Sequence, residues 1–335
     1  MHASEEFVAG WKEGVVRAAL AAQGIDTVFR PVSTSPARSR RRATLAGRRT
    51  KKGAIVGFHG RASDTIVEIT DCRLLHPDLM ATLPSLAEVT LLGASRKSEL
   101  NFSVARTEGG IDLAVTGGKP LDQSLFSELA KLCEHADFAR LTWSGDTVAA
   151  RRPAAQRFGV ARVVPPPGAF LQATAEGEAA LVAEMREVVG DSHRIVDLFA
   201  GAGTFSLSLA ARAEVHAVEG EDNVLSTLHA GWRQAEGLRR VTTEARDLFR
   251  RPLLSDEFKA FDAVVIDPPR AGAEAQCREL AASAIAVIGA VSCNPVTFAR
   301  DARILTKAGF GLDWVRVVDQ FRWSPHVEIA ARFSR

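Results

Sequence analysis

The apolar positions along this chain keep one rhythm up to about residue 165 and another after it. In the first stretch, short runs alternate apolar and polar residues as half-buried strands do: AIVGFHG, TIVEIT, NFSVART and IDLAVTG. Helical spacing is confined to residues 5–23, closed by Gly24, and to residues 121–136. With no repeating strand–helix unit, this part reads as α+β. The cluster VVPPPGAF then marks a boundary, because three successive prolines extend neither a helix nor a strand.

Beyond the prolines, strands and helices take turns. RIVDLF, EVHAVE, RVTTEA, AFDAVVID and AIAVIGAV read as strands, with TFSLSLAARA and NVLSTLHAGWRQAEG among the helices between them. That alternation predicts a parallel, doubly wound sheet. The last two strands, LDWVRVVDQF and HVEIAARF, are joined only by RWSP, which is too short for a crossover, so they must run antiparallel. The expected fold class is α/β: a Rossmann-like doubly wound sheet closed by a carboxy-terminal antiparallel hairpin, preceded by an α+β domain. The expected bounds are an amino-terminal helix over 1–28, the α+β domain over 29–165 and the doubly wound domain over 166–335.

Composition narrows the class. With 335 residues, 46% hydrophobic and 24% charged, the chain has the make-up of a soluble protein with two domains and a sizeable core. No apolar stretch has the length of a bilayer span, and the acidic opening MHASEEF carries no secretory core. The four cysteines, at 72, 133, 277 and 293, form neither a disulfide framework nor a metal-binding CxxC pattern. A reducing, cytoplasmic setting is expected. The net charge of +2 conceals a cluster: residues 38–52 hold eight basic side chains and no acid, so the remainder is net acidic. Such a run can be a solvated face, but its arginine density suits contact with phosphates, as in RNA.

The candidate chemistry lies at strand ends. DLFAGAGTFS follows a strand and opens a helix, as a nucleotide-binding loop does, with Gly201 and Gly203 making the turn. It lacks the third glycine of the dinucleotide fingerprint. Glu219 ends the next strand, where a carboxylate can take both hydroxyls of a ribose, and Asp247 follows the third, suited to an adenine edge. Separately each could be an ordinary turn or loop acid; in succession they favour S-adenosylmethionine over NAD. IDPPRAG ends the fourth strand, its prolines leaving Asp267 pointing into the crevice beyond the sheet. Cys293 ends the fifth, just before a helix start at Pro295 that is expected to favour the thiolate. Cys133 and Cys277 fall in helical patterns and read as core. Glu328 opens the final strand, on the face opposite Val327, Ile329, Ala331 and Phe333. It could face solvent, but the start of an antiparallel strand lies at the rim where the parallel ones end.

SCNP with its following ARD, together with DPPRAG, DQF, HVE and the earlier FLQ, resembles the RNA uridine C5-methyltransferases over essentially the whole chain. The bacterial enzymes that make 5-methyluridine in 23S rRNA look most similar. The resemblance implies the class I methyltransferase fold, Cys293 as nucleophile, Glu328 as base, and Gln172, Phe199, Thr204, Glu219 and Asp267 around S-adenosylmethionine. Thr204 stands where many members have asparagine, and AGAG replaces the commoner CGNG or CGAG. Those enzymes usually begin with an RNA-binding β-barrel and three clustered cysteines that share a [4Fe–4S] cluster with a fourth. Cys72, in EITDCRLLHP, matches the fourth. Either barrel and cluster have been lost or the sequence begins late; one thiol cannot hold a cluster, so none is expected here. The expected partner is RNA, ribosomal first and transfer RNA as the alternative, with no membrane and a monomeric enzyme. A class I methyltransferase acting on another substrate, with Cys293 structural, and a non-catalytic RNA-binding protein are the rival classes.

Overall fold

The computed structural model describes residues 3–95 and 98–335, which divide into two compact units. The first consists of Met1–Pro36, Arg157–Val163 and Ala175–Arg335; the second of Ala37–Gln156 and Val164–Thr174.

An eight-stranded sheet forms the first unit: β1 (Val28–Thr34), β2 (Arg194–Leu198), β3 (Glu214–Glu219), β4 (Val241–Ala245), β5 (Ala263–Ile266), β6 (Val287–Ser292), β7 (Gly311–Asp319) and β8 (Glu328–Ser334). Their spatial order is β1-β7-β8-β6-β5-β2-β3-β4. Strands β4, β3, β2, β5 and β6 run parallel to one another, and β8 lies antiparallel between β6 and β7. The doubly wound sheet and its closing hairpin are therefore as the alternation of elements implied. Strand β5 is buried at all four positions, the continuous apolar signature of a strand covered on both faces. Val196, Val264, Ile288 and Val315 pack with Val16 and Leu20 of helix Glu5–Ala21 and with Phe298 and Leu305 of helix Pro295–Lys307.

Strand β1 is an addition that the pattern did not announce. It pairs parallel with β7, outside the hairpin, with a register shift between Arg30 and Ser33. Pro31 lies within it, which is tolerated because an edge strand needs ladder bonds on one side only. Helix Ala175–Val189 lies close over β6: a Cβ built on Gly289 would stand 2.7 Å from the Met185 sulfur. Glycine is what lets helix and strand approach at that point.

The second unit is a seven-stranded sheet ordered Ile66–Glu68, Ala54–His59, Arg42–Arg49, Glu99–Thr107, Gly110–Thr116, Arg140–Trp143 and Asp146–Ala150. Neighbours are antiparallel except Gly110–Thr116 with Arg140–Trp143, whose crossover carries helix Gln123–His135. Leu45, Leu86, Phe102, Leu113, Leu129 and Trp143 are buried in its core. The Trp143 indole N–H donates to the Lys119 carbonyl at 2.9 Å. Cys133 and Cys277 are buried, as helix-face residues should be. Among the described residues no helix is long and apolar enough to cross a membrane.

Candidate active site

A parallel sheet collects its strand ends along one rim. Leu198 of β2 pairs with Val218 of β3 and with Ile266 of β5, so Phe199, Glu219 and Asp267, one residue further on, form a row. Ala245 of β4 pairs with Glu219, and Asp247 follows two positions later. At the other end of the row, Ser292 of β6 pairs with Ile329 of antiparallel β8. The next step of that register sets Cys293 opposite Glu328. The rim thus gathers Phe199, Glu219, Asp247, Asp267, Cys293 and Glu328. Gln172 belongs to the second unit, where it is buried and its main-chain carbonyl accepts from Arg41 Nε at 3.1 Å.

The glycine loop is tied to the neighbouring strand. Gly201 N–H donates to Glu219 Oε2 at 3.0 Å, and Oε1 accepts from Gly220 N–H at 2.6 Å and Glu221 N–H at 3.2 Å. Gly203 has φ 99° at the start of helix Thr204–Leu209, and a Cβ there would come within 2.9 Å of Leu207 and Leu228 side chains. Around Gly201 no atom lies within 4 Å of where a Cβ would stand, which leaves the cradle open to a ligand. Asp247 is occupied with its own turn, Oδ1 accepting from Phe249 N–H at 3.0 Å. Phe249, 49% exposed, sits 5.4 Å from the Phe199 ring, so two aromatic faces border the loop. Phe249 is not among the residues that strand-end motifs single out, yet the sequence carries a signal for it: the triplet Asp-Leu-Phe occurs at 197–199 and again at 247–249.

Asp197 was also passed over. It is fully buried, Ser206 Oγ donates to its Oδ2 at 2.5 Å, and its Oδ1 has no partner among the described residues. Burial pushes its carboxyl up to about 7, against the pull of Ser206, with the Glu219 charge adding to the rise. Asp267 is likewise pushed up to about 7 by burial, then by the Asp197 charge. Two carboxyls that resist ionisation in the free protein make a site that welcomes positive charge. S-adenosylmethionine carries a sulfonium and an ammonium, so the donor set fits it.

The Asp267 loop is buttoned onto the helix that follows Cys293. Asn294 caps helix Pro295–Lys307, its Oδ1 accepting from Val296 N–H at 3.1 Å, while its amide donates to the Arg270 carbonyl at 2.9 Å. Arg300 donates to the Ala271 carbonyl at 3.0 Å, and Asp301 accepts from Ala273 N–H at 2.7 Å. Asn-Pro and the later Ala-Arg-Asp thus hold DPPRAG against the cysteine turn. The electrostatics of that turn differ from the expectation. Burial, then the charges of Glu328 and Asp267, push the half-buried Cys293 thiol up to about 11, with Arg270 pulling the other way. Two nearby carboxylates and burial outweigh the helix start, and the free protein holds a thiol where a thiolate was expected.

The Cys72 sulfur accepts from Leu75 N–H at 3.5 Å, and among the described residues no group of three His, Cys, Asp or Glu is placed to hold a metal.

The family tRNA (Uracil-5-)-methyltransferase matches residues 131–335. An uncharacterized RNA methyltransferase of Brucella suis biovar 1 (strain 1330) is 42% identical over 97% of this chain and 78% of its own length. This chain belongs to the RNA uracil C5-methyltransferase family. The 23S rRNA (uracil(1939)-C(5))-methyltransferase of Burkholderia cenocepacia (strain HI2424) is 32% identical over 92% of this chain and 71% of its own. Among solved structures, the Pyrococcus abyssi tRNA (uracil-54, C5)-methyltransferase in complex with S-adenosyl-L-homocysteine superposes with a TM-score of 0.77 and 22% identity. It covers 99% of this chain and 84% of that one, and so shares the fold. The protein is an RNA (uracil-C5) methyltransferase whose methyl donor is S-adenosyl-L-methionine.

The raised Asp197 carboxyl has a thermodynamic consequence. A folded-state pKa near 7 against an ordinary 3.8 gives stability that is complete below about pH 4 and is lost as pH rises through 7. Asp197→Asn cannot ionise. It should raise the unfolding temperature of the ligand-free enzyme at pH 8 and leave it nearly unchanged at pH 4, in thermal scans followed by circular dichroism. An equal shift at both pH values would show that Asp197 is not the group responsible.

Proposed function

We propose that this enzyme methylates C5 of one uridine in 23S rRNA through a covalent adduct between Cys293 and uracil C6. The observation that supports it most is the register that sets Cys293 opposite Glu328, with Asp267 on the same rim. Uracil C5 is too weak a nucleophile to be alkylated directly. Addition of the Cys293 sulfur to C6 moves the C5=C6 electrons toward C5 and O4, giving an enolate. S-adenosyl-L-methionine supplies the methyl group that C5 takes. Glu328 then accepts the C5 proton, the double bond re-forms, and the Cys293 sulfur leaves C6 with its bonding electrons. Because Cys293 is held as a thiol, its proton passes to solvent water as uracil binds, and the thiolate that remains adds to C6. Asp267, beside the cysteine and itself held back from ionising by burial, keeps the uracil or the donor in register.

The cofactor would rest on the Gly201–Gly203 turn beside Thr204, with Glu219 on the ribose, Phe199 and Phe249 flanking the adenine and Asp247 at its edge. Gln172 is assigned to the donor by resemblance. A base inside a helix cannot reach Cys293, so the target uridine is in a loop or flipped out. The ribosomal substrate is supported by the relative that acts on 23S rRNA. The catalytic chain is assigned as a monomer acting in the cytoplasm. Mapping 5-methyluridine in 23S rRNA and transfer RNA, with and without the gene, tests the substrate; loss from transfer RNA alone would reassign it.

The basic run meets RNA with part of its length. Arg40 and Arg41 are half-buried, their Nε atoms donating to the carbonyls of Arg42 and Gln172, whereas Arg38, Arg49, Lys51 and Lys52 are exposed. Neutralising those four should lower the slope of log affinity against log salt by roughly three to four units. An unchanged slope in filter-binding titrations would make the run a solvated face.

Glu219→Ala should weaken binding of S-adenosyl-L-homocysteine by roughly 1.5–3 kcal/mol, the worth of hydrogen bonds to a charged group, as read by calorimetry. Unaltered affinity would remove Glu219 from the site.

Nucleophile and base fail differently. Cys293→Ala should abolish methylation and leave no adduct. Glu328→Gln should permit addition and methyl transfer but stall proton removal, so that protein–RNA adduct builds up on a denaturing gel. RNA carrying 5-fluorouridine at the target should trap the wild type in the same way. Wild-type activity in Cys293→Ala would overturn the mechanism; an inactive Glu328→Gln without adduct would move the base elsewhere.

A further inference from the structure

Glu328 follows a loop of eight residues, 320–327, whose two ends are fastened by a side chain from the far end of the chain. Lys12, in helix Glu5–Ala21, is fully buried, as is Asp319 at the end of β7. Its ammonium donates to Asp319 Oδ1 at 2.5 Å, to the Phe321 carbonyl at 2.9 Å and to the His326 carbonyl at 2.9 Å. An ammonium has three protons, and all three are spent on this loop and the strand residue that opens it. Asp319 Oδ1 also accepts from Phe321 N–H at 2.9 Å. Arg322, in the middle of the loop, donates to the Ser35 carbonyl at 3.2 Å and pairs with Glu5. Burial lowers the Lys12 pKa from its ordinary value, while Asp319 draws it back up.

We propose that Lys12 is a positioning residue for the catalytic base, fixing the loop that sets where Glu328 meets the substrate. The inference rests on the reading of Glu328 as the base. Two of the three acceptors are main-chain carbonyls of the loop itself, and His326 is only two residues before Glu328. A merely stabilising ion pair would need neither. Replacement of a buried pair by well-packed apolar residues is often neutral for stability, whereas loss of one partner strands a buried charge. Stability and positioning can therefore be separated.

The test compares Lys12→Met with Lys12→Met/Asp319→Leu, the second of which removes the stranded carboxylate should the first fail to fold. The double variant should melt within a few degrees of wild type, bind S-adenosyl-L-homocysteine normally and form the 5-fluorouridine adduct at the wild-type rate. With ordinary uridine its kcat should fall at least tenfold at nearly unchanged KM. The RNA adduct should accumulate during turnover, as in Glu328→Gln. Wild-type turnover without accumulated adduct would overturn the proposal and leave Lys12 a fold-stabilising residue. An equal loss of 5-fluorouridine trapping would also overturn it, placing the effect on the nucleophile or on RNA binding. Absence of the 5-fluorouridine adduct in the wild type itself would instead overturn the assignment of Cys293 and Glu328, and this inference with it.

Discussion

Opposed strand direction is the constraint on which the site depends. Parallel strands deliver their last residues to one rim, and only an antiparallel neighbour can deliver a first residue there. Strand β8 is that neighbour, and its pairing of Ile329 with Ser292 puts Glu328 across from Cys293. A slip of one residue would turn Glu328 to the other face of the sheet. The slip is resisted on both sides, because β8 is ladder-bonded to β6 and β7 at once and its Ile329, Ala331 and Phe333 are buried. The same rim then brings Asp267, Glu219 and the glycine loop into line at no further cost in backbone design.

Crowding acids around a sulfur has an electrostatic consequence. Burial and mutual repulsion keep the carboxyls of Asp197 and Asp267 from ionising readily, and burial with the charges of Glu328 and Asp267 does the same to the Cys293 thiol. A positively charged ligand relieves the repulsion among the acids. The thiol is a different matter, since only the Arg270 charge and a backbone hydrogen bond oppose the rise in its pKa. Adding donor or substrate therefore changes the protonation of the site as well as filling it.

The catalytic sheet was legible because its strands are short, mostly apolar and separated by helices, so that the sequence places β2 to β8 to within three residues at either end. The site was legible because strand ends fall next to Gly, Pro and Cys, residues that stop a strand in recognisable ways. Three things were not. Strand β1 contains a proline and shows no clean alternation, so nothing in its seven residues distinguishes it from a loop. Lys12 sits on a helix among other charged residues, and its burial depends on Asp319, which no local pattern points to. The state of the Cys293 thiol depends on groups 26 and 35 positions away, whose charges outweigh the local helix start.

The first unit is completed by segments from opposite ends of the chain, with the whole of the second unit coming between them. Lys12 and Asp319 are 307 positions apart, and β1 finds its ladder partner in β7. During synthesis the amino-terminal helix must therefore wait for nearly the entire chain before its lysine has a carboxylate to meet. The second unit, whose strands are all made earlier, has its partners much sooner. Folding on the ribosome should then proceed out of sequence order, with the middle of the protein consolidated while the catalytic sheet still lacks its closing strands. Through the last third of translation, as the parallel strands are completed, the exposed edge of that sheet is what a chaperone would have to cover.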